Sequence, residues 1–191
     1  NSLDNKIFKL FIKNNKLNHL YKSKFITIGG SSALNRPDYL IFNAEKFYEK
    51  LIDYFTSQNY KVLITISEPL DEYIFKKFNM NNNIYYLRNN YKETRNIINL
   101  LKFSSLFITG RWHPSLFAYL GNVPCISLSA NTHKMKAFQN LINENNYYDF
   151  SLSNLEHILN KSEMLLNKKN FKFPNLNKDI FLAKQLTKFI N

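Results

Sequence analysis

Five short apolar runs recur along the chain: KFITI at 24–28, KVLITI at 61–66, IYYL at 84–87, LFIT at 106–109 and VPCISL at 123–128. They read as continuous apolar stretches of strand length, the pattern of strands buried on both faces. A weaker sixth run lies at 147–150. Between the runs the spacing is helical. Over 39–57, Leu40, Phe47, Leu51 and Phe55 share one face, and over 91–103 Ile97, Leu100 and Leu101 do the same. Further helices are expected over 69–78, 114–120, 132–143, 152–166 and 178–190, the last two joined by a polar connection at 168–177. Short strands alternating with helices require βαβ crossovers. The expected fold is α/β, an open doubly wound, mostly parallel sheet of about six strands with helices on both faces. Residues 1–23 look helical, with Ile7, Leu10, Phe11, Leu17 and Leu20 as the apolar positions. They read as a connection from a missing upstream domain, and 24–191 as the ligand-binding domain.

Composition excludes several classes. The chain has 191 residues with 45% hydrophobic content, four glycines and five prolines, which rules out a disordered or collagen-like chain. A single cysteine, Cys125, excludes a disulfide framework and a cysteine zinc site, and its strand context makes it a small apolar filler. No clustered His/Asp/Glu set has metal-ligand spacing, so neither metal nor cofactor is expected. No run of 18 apolar residues exists to span a membrane. The chain starts at Asn1 with neither a signal nor a transit peptide, and reads as a cytoplasmic piece of something larger. The net charge is +12, but the skew toward Asn, Lys, Ile, Phe and Tyr is that of an AT-rich genome, which discounts the lysines. A nucleic-acid binder interleaves a basic stripe with exposed aromatics. Here the aromatics fall in strands and on apolar helix faces, so no specific nucleic acid is expected, only weak attraction to an anionic membrane surface.

In a doubly wound sheet, ligands bind beyond the carboxyl ends of the strands. Gly29, Gly30, Ser31, Ser32 and Arg36 follow the first strand, Ser67 and Glu68 the second, and Arg88 the third. Gly110, Arg111, Trp112 and His113 follow the fourth, and Ser129, Asn131, Thr132, His133 and Lys134 the fifth. Three of the four arginines, three of the four glycines and two of the four histidines therefore fall on one edge. Arginine is a rigid fork for carboxylate or phosphate, so an anion site is expected there. Gly29-Gly30-Ser31 reads either as a tight turn or as backbone approaching an anion. It lacks both the dinucleotide and the P-loop spacing. Pro114 suits a first helical position, which places His113 near the N-cap, where a helix start favours anions. Arg111 and His113, two apart, are expected to face one cleft. Glu68 is the one carboxylate at a strand end and thus the candidate acid or base. Arg36, Arg88, Asn131, His133 and Lys134 complete the expected binding set.

The segment 106–138 resembles the C-terminal half of the polysaccharide pyruvyl transferase family. That family has an apolar strand, an Arg-x-His, a short helix, a Gly-x-Pro, a second apolar strand and a following Lys. Here these are LFIT at 106–109, Arg111 and His113, the helix at 115–120, Gly121 and Pro124 with one extra residue between them, CISL at 125–128, and Lys134. The chain departs from the pattern at Trp112, where an aliphatic residue is usual, and at Pro114, where a small one is usual. The resemblance implies one Rossmann-like half of a GT-B-like architecture. It implies a bacterial, cytoplasmic enzyme of capsule or cell-surface glycan assembly that moves a pyruvyl group from phosphoenolpyruvate to a sugar. His113 is then the acid/base, Arg111 and Arg36 hold carboxylate and phosphate, and the acceptor is a glycan or lipid-linked glycan. The alternative is a GT-B glycosyltransferase donor domain for a nucleotide-activated sugar, acidic sugars included.

Overall fold

Apolar strands need cover on both faces, and the helices supply it. The structure, a computed structural model, describes residues 2–37, 41–78, 83–142 and 145–168. Leu40, the connection beyond 168 and the helix expected at 178–190 lie outside the described residues. The elements run α1 (Ser2–Asn14), α2 (Asn18–Tyr21), β1 (Phe25–Ser31), α3 (Ile41–Ser57), β2 (Lys61–Ile66), α4 (Pro69–Phe75) and β3 (Ile84–Arg88). They continue with α5 (Thr94–Leu101), β4 (Ser104–Gly110), α6 (Trp112–Gly121), β5 (Cys125–Leu128), α7 (Lys134–Leu141), β6 (Tyr147–Tyr148) and α8 (Leu155–Leu166).

Among the described residues the six strands form one sheet in the order β3-β2-β1-β4-β5-β6. Every strand pairing is parallel, so the expected "mostly parallel" sheet is fully so. Successive residues of each strand face opposite sides. Ile26, Ile28, Val62, Ile64, Ile108 and Leu128 pack under α3, α4 and α8. Phe25, Leu63, Leu87, Phe107 and Cys125 pack under α1, α2, α5 and α6. The segment expected as a connection contributes Phe11, Ile12, Leu17 and Leu20 to this second core. Burying each large side chain contributes about 1.5–3 kcal/mol.

Two elements differ instructively from the expectation. Gly29-Gly30 is not a tight turn: β1 runs on through both to Ser31, with no positive φ at either glycine. What both positions require is the absence of a side chain. A Cβ on Gly29 would lie 2.6 Å from Thr109 Oγ1, and one on Gly30 only 1.9 Å from Asp71 Oδ1. Asp71 is wholly buried and has nowhere to retreat. Gly30→Ala is accordingly expected to cost about 2–3 kcal/mol, the upper part of the overpacking range. Urea unfolding checks it, and a loss below about 0.5 kcal/mol, that of an ordinary surface change, would contradict the contact.

The second difference is at α6. It begins at Trp112 with Arg111 as its N-cap, so His113 is the second helical residue and Pro114 the third, not the first. Proline is tolerated there because first-turn N–H groups lack intrahelical partners anyway. At the other end Asn122 takes the left-handed conformation, φ 58°, as its C-cap. Smaller shifts follow helix fraying: the helix expected at 69–78 stops at Phe75, and those at 91–103 and 152–166 open with short 3₁₀ turns.

Candidate active site

Strand order reverses between β1 and β4, and the crevice beyond their carboxyl ends is where such a sheet binds ligands. There the structure has a cleft of about 340 Å³ lined by Ser32, Glu68, Arg111, His113, Asn131 and Lys134, with Ser67, Trp112, Thr132 and Met135 beside them. Arg111 and His113 thus share one cleft, as their spacing suggested. The helix start does this work, because Arg111 caps α6 and His113 sits in its first turn. The Thr109 hydroxyl accepts the Arg111 N–H at 3.1 Å and itself donates to the Gly30 carbonyl at 3.2 Å, tying the end of β4 to β1.

Arg111 is only 4% exposed. Its Nη2 donates to Asp71 Oδ1 at 2.6 Å, and its Nη1 forms an ion pair with Glu68 Oε2 at 2.7 Å. Neither Nε nor Nη1 has a hydrogen-bonding partner of good geometry among the described residues. Asp71 is fixed from behind: its Oδ2 accepts the N–H groups of Ser67 at 3.0 Å and Glu68 at 3.1 Å, closing the first turn of α4. Burial pushes the Asp71 carboxyl up, and the Arg111 guanidinium and these two N–H groups pull it back. Glu68 is half exposed, and its Oε2 also accepts from Asn35 Nδ2 at 3.2 Å.

His113 is half-buried. Burial, and secondarily the Lys134 charge across the cleft, hold its imidazole below the ordinary value of 6.5. The folded chain therefore binds fewer protons here than the unfolded chain. The stability this gives is complete above pH 6.5 and lost as pH falls from there toward the lowered folded value. His113→Asn is expected to flatten the fall in unfolding midpoint between pH 7 and 5. An unchanged slope would show that the imidazole is not perturbed.

The other expected residues divide. Asn131 lies at the cleft, where its N–H donates to Ser32 Oγ at 3.3 Å and its Oδ1 accepts from that hydroxyl at 3.0 Å. Lys134 opens α7 and is exposed. Gly29, Gly30 and Ser31 lie buried in β1 behind the cleft, and Ser31 spends its hydroxyl on the Ser129 carbonyl and the Ala33 N–H. Arg36 is exposed at the end of the 3₁₀ turn after β1 and does not line the cleft. Arg88 ends the outermost strand and pairs with Glu72 on the solvent side of α4. His133 caps α7, exposed and outside the cleft lining.

Asp71 was not among the expected site residues. The spacing of Glu68 and Asp71 around Pro69 is a helix-start signature, which conceals that the same carboxylate reaches 40 positions along the chain to Arg111. Trp112 stands edge-on to Phe138 of α7, centroids 5.6 Å apart, which accounts for the bulky residue between Arg111 and His113. Cys125 is buried as expected, its thiol pushed up to about 12 by desolvation. Among the described residues, no group of three or more His, Cys, Asp or Glu could hold a metal ion, and no helix is long and apolar enough to cross a membrane.

Comparison with known proteins bears on this arrangement. A family model described as polysaccharide pyruvyl transferase matches residues 4–132, about two thirds of the chain. The match takes in Arg111 and His113 and ends before Lys134. A search of curated proteins finds no match. Among solved structures, the chain is similar to the UDP-GlcNAc 2-epimerase of Methanocaldococcus jannaschii, with TM-score 0.62 and 20% identity over 96% of this chain and 50% of that one. It is similar to S. aureus MnaA in a co-structure with UDP, with TM-score 0.55 and 14% identity over 80% of this chain and 39% of that one. It is also similar to a glycosyl transferase family 9 protein of Veillonella parvula, with TM-score 0.51 and 17% identity over 83% of this chain and 50% of that one. At these identities the likeness is one of fold, a GT-B-like half. The chain spans about half the length of the first and third of these proteins and less of the second.

Proposed function

The chain belongs to the polysaccharide pyruvyl transferase family, and on that premise we propose that it forms the donor-binding half of a transferase that moves a pyruvyl group from phosphoenolpyruvate to a sugar of a surface polysaccharide. The observation that carries this reading is the convergence of Arg111, His113 and Lys134 on one cleft at the switch point. The donor bears a planar carboxylate and a phosphate on one carbon. Guanidinium suits the first, and an ammonium with a helix start suits the second.

In the transfer, the donor's C2 forms bonds to two sugar oxygens while its bond to the phosphate oxygen breaks. Of the two hydroxyl protons, one ends on the methylene carbon, which becomes methyl, and the other on the departing phosphate. An imidazole held neutral is suited to take a hydroxyl proton as the oxygen attacks, and afterwards to give it up. His113 has that role in this reading, and Arg111 that of orienting the carboxylate. The remaining wall of the cleft and the acceptor site belong to an upstream domain, with 1–23 as the connection. A cytoplasmic place at the inner membrane face fits a lipid-linked acceptor.

A nucleotide-activated sugar in the same cleft is the second reading, supported by fold neighbours solved with UDP-GlcNAc and UDP. Ligand-induced thermal shift separates the two. Phosphoenolpyruvate is expected to raise the unfolding midpoint and UDP-GlcNAc to leave it unchanged, since only a ligand that binds the native state stabilises it. Arg111→Ala and His113→Ala are expected to abolish the shift and Lys50→Ala, on an exposed face of α3, to preserve it. A shift with UDP-GlcNAc alone would transfer the site to the second reading. Equal shifts in all three variants would remove the site.

A further inference from the structure

The two carboxylates on Arg111 are not equivalent. Asp71 is 0% exposed, held by two backbone N–H groups and walled by Gly30, so it cannot leave without unfolding the start of α4. The Glu68 side chain is 45% exposed, stands in the cleft lining and otherwise accepts an exposed hydrogen bond from the Asn35 amide and one from the Asp71 N–H of the capping box. A guanidinium has five N–H donors, yet this one, almost wholly buried, makes one well-formed side-chain bond, to Asp71, leaves Nε without an acceptor and holds Glu68 through Nη1 only as an ion pair. Unused buried donors beside a cleft are costly unless a ligand meets them.

We propose that Asp71 is a permanent clamp on Arg111, while Glu68 is an internal competitor whose place a carboxylate-bearing ligand takes during binding. The inference rests on reading this cleft as the donor site. An anion added beside both acids would put three negative groups around one guanidinium. An incoming carboxylate that displaces Glu68 into water leaves the buried charge unchanged and presents a planar fork to the Nη1 side of the guanidinium that Glu68 gives up. A phosphate lacks that planar fit and is directed instead toward Lys134 and the start of α6. Glu68 therefore sets both the affinity and the choice of ligand group, and Asp71 acts as a positioning residue.

The test is calorimetric titration of the full chain with oxalate and, separately, inorganic phosphate. Glu68→Gln is compared with wild type and with Glu72→Gln, which removes a charge on the same helix outside the cleft. With Glu68 half open to solvent, its hold on Arg111 is modest, so oxalate is expected to bind about fivefold tighter to Glu68→Gln. Phosphate binding and both titrations of Glu72→Gln are expected to stay near wild type. Weaker or unchanged oxalate binding in Glu68→Gln overturns the exchange, and so does equal tightening in Glu72→Gln, which would mark a general charge effect. Tighter oxalate binding with no thermal shift from phosphoenolpyruvate leaves the exchange standing and removes the pyruvyl donor. A phosphoenolpyruvate shift with weakened oxalate binding does the reverse.

Discussion

Asp71→Ala is expected to lower the unfolding free energy by about 3–5 kcal/mol, the range for breaking a buried ion pair from one side. The cost comes less from the lost 2.6 Å bond than from what remains: a guanidinium 4% exposed, facing a hole, and the N–H groups of Ser67 and Glu68, just ahead of α4, without their acceptor. Buried pairs are often replaceable as a unit, because desolvating two charges offsets most of their attraction. The double change Asp71→Leu with Arg111→Met is therefore expected to recover most of the lost stability while binding no carboxylate. Denaturant unfolding checks both. A loss below about 1 kcal/mol in the single variant, the worth of an exposed pair, would mean that water reaches the site.

His113→Ala is expected to reduce turnover by about 10²–10⁴-fold, the contribution of a positioned proton-transfer group. The measurement is phosphate release from phosphoenolpyruvate by the full-length protein with its acceptor. Because His113 is half-buried in a helical first turn and α6 keeps its cap, stability is expected to stay within about 1 kcal/mol of wild type. Loss of rate without loss of fold separates this residue from Asp71. A decrease below tenfold would assign the proton transfer to another group.

Much of the architecture was legible because apolar runs bounded by turns carry their own limits. The strand at 61–66 was read to its ends, and the alternation of runs with helical spacing was enough for the doubly wound sheet. Recognition of the Arg-x-His segment drew on local pattern too, and there the family match agrees. Errors arose where a residue answers to a distant neighbour. Gly29 and Gly30 carry the usual mark of a turn, yet Thr109 and Asp71 press against them from other elements. Arg88 satisfies the strand-end rule, but that rule names a whole edge, and β3 lies at its far side, two strands from the reversal point. Asp71 shows the opposite failure. Its local capping role was visible in principle, and its partner lies on the far side of two crossovers.

The seam between β1 and β4 also dictates when the site comes into being. Thr27 bonds Ser104, and Ser31 stands in register with Gly110, across nearly eighty positions of intervening chain. Closing so long a loop is slow, since its entropy is spent before the pairing repays it. A nascent polypeptide that has emerged only through β3 carries β1 with one flank bare, the kind of edge that other chains pair with. The guanidinium arrives with the fourth strand, so ligand affinity cannot precede the closing of this seam as the molecule is made.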